Sequence, residues 1–132
     1  LHGILHSFPT RRSSDLLIKT EDNMQYFERV LMQSKQWGND ENLMYVVGAT
    51  RAEMLRKVRA IVPDNFLLIP GVGAQGGDLN EVLKNGWNNS GGLLINASRS
   101  IIFASTGEDF AVAAHKEAKR MQEEMSEFIN QL

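Results

Sequence analysis

The sequence contains no cysteine, only 3 prolines among 132 residues and few aromatic side chains. The absence of cysteine excludes disulfide bonds and thiolate metal sites, and it favours a reducing compartment, the cytoplasm. No apolar run approaches the roughly 20 residues that a membrane-spanning helix needs. The formal net charge is only -2, so no broad basic surface is available for nucleic acid or an anionic membrane. Any anion must therefore be bound by a local group of residues.

What the chain does contain is typical of one globular α/β unit, with 42% hydrophobic and 23% charged residues. Short apolar runs alternate with longer segments that have apolar residues at helical spacing. The alternation predicts strands at 43–47, 66–69 and 92–95. It predicts helices at about 23–37, between Thr50 and Pro63, from Asp78 to Gly86, and from about Gly107 to the end.

Capping residues set the predicted helix ends. Thr50 and Glu53 have the spacing of a capping box, in which each end of the motif satisfies a free backbone N–H of the helix. Asp78 is expected to cap the third helix and Asp22 the first. Gly86 is expected just after the third helix, where a glycine often ends a helix.

Three strands separated by one helix each form βαβ units, whose strands are parallel neighbours joined by right-handed crossovers. Both a doubly wound sheet and a (β/α)8 barrel are built from such units. A complete barrel takes roughly 250 residues, so this chain would supply only part of one.

The loop after the second strand is rich in glycine, and 7 of the 11 glycines lie between Gly71 and Gly92. Glycines let the backbone approach a ligand closely, and a loop that enters a helix offers free N–H groups to an anion. A tight turn that needs glycine for geometry alone is the alternative. Gln75 adds an amide donor, and Arg99, after the third strand, adds a guanidinium that can bind phosphate through two hydrogen bonds. These neighbours favour a phosphate site between the two loops.

Three segments of the chain carry a specific resemblance. Residues 45–50 read YVVGAT, 68–78 read LIPGVGAQGGD and 92–100 read GLLINASRS. Together they closely resemble the C-terminal half of the orotidine 5'-phosphate decarboxylases of the longer-chain bacterial subfamily, over about residue 23 to the end. The resemblance implies a partial (β/α)8 TIM barrel, in which the three strands are the last three, six to eight.

The resemblance also implies where the substrate binds. It assigns the 5'-phosphate of orotidine 5'-phosphate to Gln75 and Arg99, helped by backbone N–H groups near Gly76, Gly77 and Ser98. Pro70 and Gly71 would border the pyrimidine. In the complete enzyme, it implies decarboxylation of orotidylate to uridylate without metal or organic cofactor, and a homodimer.

The family's catalytic Asp-x-Lys-x-x-Asp motif does not occur in this sequence, because no aspartate has a lysine two positions later. We therefore assign no catalytic residue here, and we expect the isolated chain to be inactive. Two other hypotheses remain open. One is a non-catalytic phosphate- or nucleotide-binding module that uses the same loops, and the other is a different barrel enzyme with a phosphorylated substrate.

The first sixteen residues, LHGILHSFPTRRSSDL, stand apart from this pattern. Residues 7–16 resemble the translation of a widely used sequencing adapter. We expect residues 1–16 to be an artefact and disordered, and the decarboxylase-like domain to occupy 17–132. An Arg11-Arg12 targeting signal and a His2/His6 metal pair are weaker interpretations of the same stretch.

Overall fold

The computed structural model describes residues 18–73 and 76–132. The chain divides into two compact units, 1–37 and 38–132. Residues 1–16, expected to be disordered, lie outside the described part. None of the described helices is long and apolar enough to cross a membrane. The elements are α1 (Tyr26–Ser34), β1 (Tyr45–Val46), a 3-10 turn (Ala49–Arg51), α2 (Ala52–Ile61), β2 (Leu67–Pro70), α3 (Leu79–Gly86), β3 (Leu93–Asn96), α4 (Ser98–Ile102) and α5 (Phe110–Ile129).

The first unit contains α1, which is shorter than predicted and is not capped by Asp22. Asn23 has a φ of 66° and its backbone N–H donates to the carbonyl of Thr20, so the chain makes a turn there instead of a helix. The residue that caps α1 is Gln25, whose N–H donates to a carboxylate oxygen of Glu28 at 2.7 Å. The predicted cap was wrong because the local turn takes precedence over the helical pattern.

The second unit contains a three-stranded parallel sheet in the order β1-β2-β3. The prediction of parallel neighbours is therefore confirmed. β1 is shorter than the predicted strand, although the Val47 N–H continues the ladder by donating to the Leu68 carbonyl at 2.9 Å. All three strands consequently end at the same edge of the sheet.

The two faces of the sheet differ in exposure because successive side chains of a strand point to opposite sides. On one face, Leu67 and Ile69 are completely buried. On the other face, the register aligns Val46, Leu68 and Leu94 in one row, of which Val46 is 69% and Leu94 43% exposed. We call these three residues the open row. The sheet is thus packed on one side and bare on the other.

The second helix, α2, packs as predicted but starts differently. Leu55, Val58 and Val62 are buried. A 3-10 turn occupies 49–51, and α2 begins at Ala52 without a side-chain cap. The expected capping box of Thr50 and Glu53 is therefore not formed, because the 3-10 turn already uses that stretch of backbone.

The third helix, α3, confirms one predicted boundary and corrects the other. An oxygen of Asp78 accepts a hydrogen bond from the Glu81 N–H at 2.9 Å, as an N-cap does. Gly86, however, is the last residue of the helix, not the residue after it. A Cβ at Gly86 would lie 3.0 Å from Leu93 Cδ2 and 3.4 Å from Leu55 Cδ1, so glycine there permits close packing of α3 against β3.

Replacing the cap of α3 should have a moderate cost. We expect Asp78→Ala to lower the free energy of unfolding by about 1 kcal/mol, because one N–H at the helix start loses its acceptor. Urea denaturation followed by circular dichroism measures the change. Asp40→Ala, at an exposed position before β1, is the matched control. Equal stabilities for the two variants would contradict the capping role.

The long helix α5 is mostly exposed. Of the apolar residues that recur at helical spacing along it, Met121 is buried, but Phe110 is 60% exposed and Ala118 is also exposed. Near its C-terminal end, α5 packs against the end of α3. There the rings of Trp87 and Phe128 meet edge to face with centroids 5.6 Å apart. The helical spacing predicts an apolar face on α5, and the other described parts of the chain bury only part of that face.

At the edge of the sheet opposite the carboxyl ends of the strands, the side chain of Arg59 on α2 connects several elements, and no pattern in the sequence pointed to this role. Burial lowers the pKa of its guanidinium, and the carboxylate of Asp64 opposes this shift. Within the part of the chain that the structure describes, the guanidinium donates only to backbone carbonyls: Gly86 at 2.6 Å, Asn65 at 2.6 Å, Gly92 at 2.7 Å, and Val62 and Pro63 at 3.3 Å. We call this set the Arg59 network. It ties the ends of α2 and α3 to the starts of β2 and β3.

Candidate phosphate-binding site

The loops that follow the three strands meet at the carboxyl edge of the sheet. A Cβ at Gly77 would lie against the Cβ of Ala49 and 2.8 Å from the carbonyl oxygen of Gly71. A Cβ at Gly73 would lie 3.3 Å from the hydroxyl oxygen of Ser100. The loop after β2 therefore touches the loops after both β1 and β3, which confirms the expected side-by-side placement.

A cleft of about 260 Å³ opens between the loops after β2 and β3. Four of the residues that the resemblance assigns to the site line this cleft. The lining consists of Pro70, Gly71, Val72, Asn96, Ala97, Ser98 and Arg99.

The loop after β2 holds its own shape through backbone hydrogen bonds. The N–H of Gly76 donates to the Gly73 carbonyl at 2.8 Å, and the N–H of Gly77 donates to the Gly71 carbonyl at 3.2 Å. Gly71, Gly73 and Gly76 have φ values of 93°, 77° and 82°, which favour glycine. The two N–H groups expected to help bind phosphate thus already have acceptors within the loop. Gln75 lies outside the described residues.

The loop after β3 is not the plain loop that the sequence predicted. Residues 98–102 form the short helix α4, which carries both Ser98 and Arg99. The Ser98 N–H donates to Asn96 Oδ1 at 3.3 Å, and the Ser98 hydroxyl donates to the same oxygen at 2.7 Å. Asn96 thereby fixes the turn into α4.

Arg99 is exposed at the cleft. Within residues 18–73 and 76–132 its guanidinium has no hydrogen bond and no ion pair. Among the described residues, no partner compensates its positive charge, and the guanidinium carries up to five N–H donors. Of the described residues predicted to bind phosphate, Arg99 is the one with free charged donors.

A second and more open concavity, of about 520 Å³, lies in the first unit beside Lys19–Asp22 and Arg29. Arg29 is already paired with the carboxylate of Asp22, so its charge is compensated. In the described part of the chain, no three His, Asp or Glu side chains come together as metal ligands would. The cleft beside Arg99 remains the better candidate for an anion site.

No family model matches the sequence, but individual curated proteins do. The chain is 57% identical over 104 residues to an orotidine 5'-phosphate decarboxylase of Flavobacterium johnsoniae, covering 79% of this chain and 38% of that protein. It is 46% identical over 130 residues to one of Phocaeicola vulgatus, covering 97% and 48%. The second match reaches into the first sixteen residues. The chain therefore spans less than half the length of these relatives.

Solved structures agree in fold. The OMP decarboxylase of Leishmania donovani superposes with a TM-score of 0.64 at 27% identity, covering 83% of this chain and 41% of that one. The sheet of parallel βα units is thus part of a TIM barrel, as the family resemblance implied. In such barrels, loops at the carboxyl ends of the strands form the site, often with a phosphate held by the last two.

Proposed function

The chain belongs to the orotidine 5'-phosphate decarboxylase family, and from this premise we propose that it holds the substrate's 5'-phosphate in a decarboxylase that converts orotidylate to uridylate and carbon dioxide. One observation carries the proposal. Arg99 presents an unpaired guanidinium, as far as the described residues go, at a cleft formed by two loops at the carboxyl edge of a barrel sheet.

We assign three roles within this site. Arg99 binds the phosphate oxygens, because its planar guanidinium matches two of them at once. Gln75, together with the loop through Gly76 and Gly77, completes the phosphate side. Pro70 and Gly71, at the end of β2, border the base. The N–H groups of Gly76, Gly77 and Ser98 can add to binding only if the ligand replaces their present acceptors.

The phosphate is remote from the carbon that loses carbon dioxide, so Arg99 acts through binding energy. Remote binding energy can hold the base against the catalytic charges and drive closure of loops over the site. The lysine and aspartate groups that would carry out the chemistry belong to a motif that this sequence does not contain. We therefore expect no turnover of orotidylate by this chain. Measured decarboxylation would refute that part of the proposal.

The direct test is titration calorimetry of the 132-residue chain with uridine 5'-monophosphate, the expected product. We expect Arg99→Ala to weaken binding at least about tenfold, the loss of one charge-assisted contact. Arg56→Ala, at an exposed position on α2, is the matched control and should bind like the wild type. We also propose that residues 1–16 take no part, so a chain without them should give the same affinity.

Two results would count against this function. Equal binding by Arg99→Ala and the wild type would remove Arg99 from the site. Binding of adenosine 5'-monophosphate as tightly as uridine 5'-monophosphate would favour the other hypothesis, a general phosphate- or nucleotide-binding module.

We further propose that the enzyme works in the cytoplasm as a homodimer on a small-molecule substrate, with no nucleic acid or membrane partner. The absence of cysteine and the net charge of -2 support this placement.

A further inference from the structure

Asn96 is a cleft residue to which neither the sequence pattern nor the proposed function assigns a part. It is the last residue of β3 and pairs in register with Pro70 of β2. Its side chain is exposed, and it lines the same cleft as Arg99. Strand alternation places it on the bare face of the sheet, the face of the open row. In a barrel that face points inward.

Only one end of the Asn96 amide is used within the described residues. Two donors of Ser98, its backbone N–H and its hydroxyl, converge on one atom of the amide, at 3.3 and 2.7 Å. A backbone N–H can only donate, so the atom that it meets is the oxygen, Oδ1. The amide nitrogen, Nδ2, is therefore turned away from Ser98. It makes no hydrogen bond to any residue in the described ranges.

We propose that Asn96 is a binding residue of this site, which donates from Nδ2 to an oxygen at the phosphate-bearing end of the nucleotide. The inference rests on the proposed function. The Asn96 amide complements the Arg99 guanidinium, because Nδ2 adds an uncharged donor in a fixed position to the charged donors of Arg99. Fixation by Ser98 matters, since a side chain that is already held in place loses less entropy when it binds a ligand. A carboxylate in the same place would offer no donor and would repel the phosphate.

The test compares three variants of the 132-residue chain by calorimetric titration with uridine 5'-monophosphate. Asn96→Ala removes both ends of the amide, and we expect binding about tenfold weaker. Asn96→Asp keeps the oxygen that accepts from Ser98 but replaces the donor by a negative charge, so binding should weaken further. Ser98→Ala removes the hydroxyl that holds Asn96 but keeps Nδ2 as a donor, so we expect a loss of affinity smaller than that of Asn96→Ala.

A second measurement separates substrate contact from a role in shaping the turn. In ¹⁵N-resolved spectra, the free Asn96→Asp variant should keep the wild-type amide shifts of Ile101 and Phe103, which report on α4. If Asn96→Ala and Ser98→Ala weaken binding equally, Asn96 acts only through the turn and the inference is wrong. Wild-type affinity in Asn96→Ala, with binding lost in Arg99→Ala, would overturn the inference and leave the proposed function standing. Failure of the wild-type chain to bind would overturn both.

Discussion

Arg59→Ala should lower the free energy of unfolding by about 3 kcal/mol, because three carbonyls that now accept short hydrogen bonds would each lose a partner at a cost of about 1 kcal/mol or more. Those carbonyls belong to Asn65, Gly86 and Gly92. Domains are typically stable by only about 5–15 kcal/mol, so the loss would be a large fraction of the total. Urea denaturation at neutral pH measures it.

The matched control for this change lies on the same helix. Arg56 is exposed on α2, and Arg56→Ala should change stability by less than about 0.5 kcal/mol, as surface changes usually do. Arg59→Lys keeps the charge but loses the planar arrangement of donors, so we expect it to recover only part of the loss. Similar stabilities for Arg59→Ala and Arg56→Ala would show that the Arg59 network contributes little.

Gly77→Ala should cost about 2–3 kcal/mol through overpacking and should also weaken nucleotide binding. The added methyl group would meet the Cβ of Ala49, the carbonyl oxygen of Gly71 and the Cα of Val72. These atoms are backbone atoms or belong to a buried side chain, so relief requires the loops after β1 and β2 to separate. The resemblance assigned Gly77 to phosphate binding, and the structure adds a steric reason for glycine.

Gly48→Ala provides the contrast. Gly48 has a φ of -65°, and a Cβ there would meet nothing within 4 Å. This substitution should be neutral or should stabilise by about 0.4–1 kcal/mol, because alanine restricts the unfolded chain. Thermal unfolding of both variants measures the difference in stability, and calorimetric titration with uridine 5'-monophosphate measures the difference in binding. A Gly77→Ala variant that is as stable as Gly48→Ala would show that the loops adjust without strain.

Apolar periodicity was sufficient to predict the sheet and its helices. Continuous apolar runs predicted three parallel strands, because both faces of such strands meet apolar neighbours in the complete fold. Helix ends were less predictable, since they depend on individual hydrogen bonds. Asp78 caps its helix as expected, whereas the turn at Asn23 displaces the expected cap at Asp22. The short helix α4 also escaped prediction, because five residues carry too little periodicity.

Some residues of the structure could be recognised from the sequence and others could not, and the difference has a physical reason. Side chains whose chemistry is distinctive, such as Arg99, could be recognised in the sequence, and the structure places Arg99 at the cleft with Ser98, Pro70 and Gly71. Arg59 acts through hydrogen bonds to backbone carbonyls, some of which are far away in sequence. Gly92, which accepts from Arg59, is 33 positions later. Spacing rules within one helix do not contain that information.

The hydrogen bonds of the Arg59 network can form only in a certain order during synthesis, because the ribosome makes the chain from its N-terminus. Its acceptors at Val62, Pro63 and Asn65 are synthesised shortly after Arg59, but those at Gly86 and Gly92 follow much later. At about 5–20 residues per second, Gly92 is added on the order of a few seconds after Arg59. Before Gly86 is made, the guanidinium can donate only to the carbonyls of Val62, Pro63 and Asn65. The hydrogen bond that joins α2 to the start of β3 can form only after Gly92 has been added.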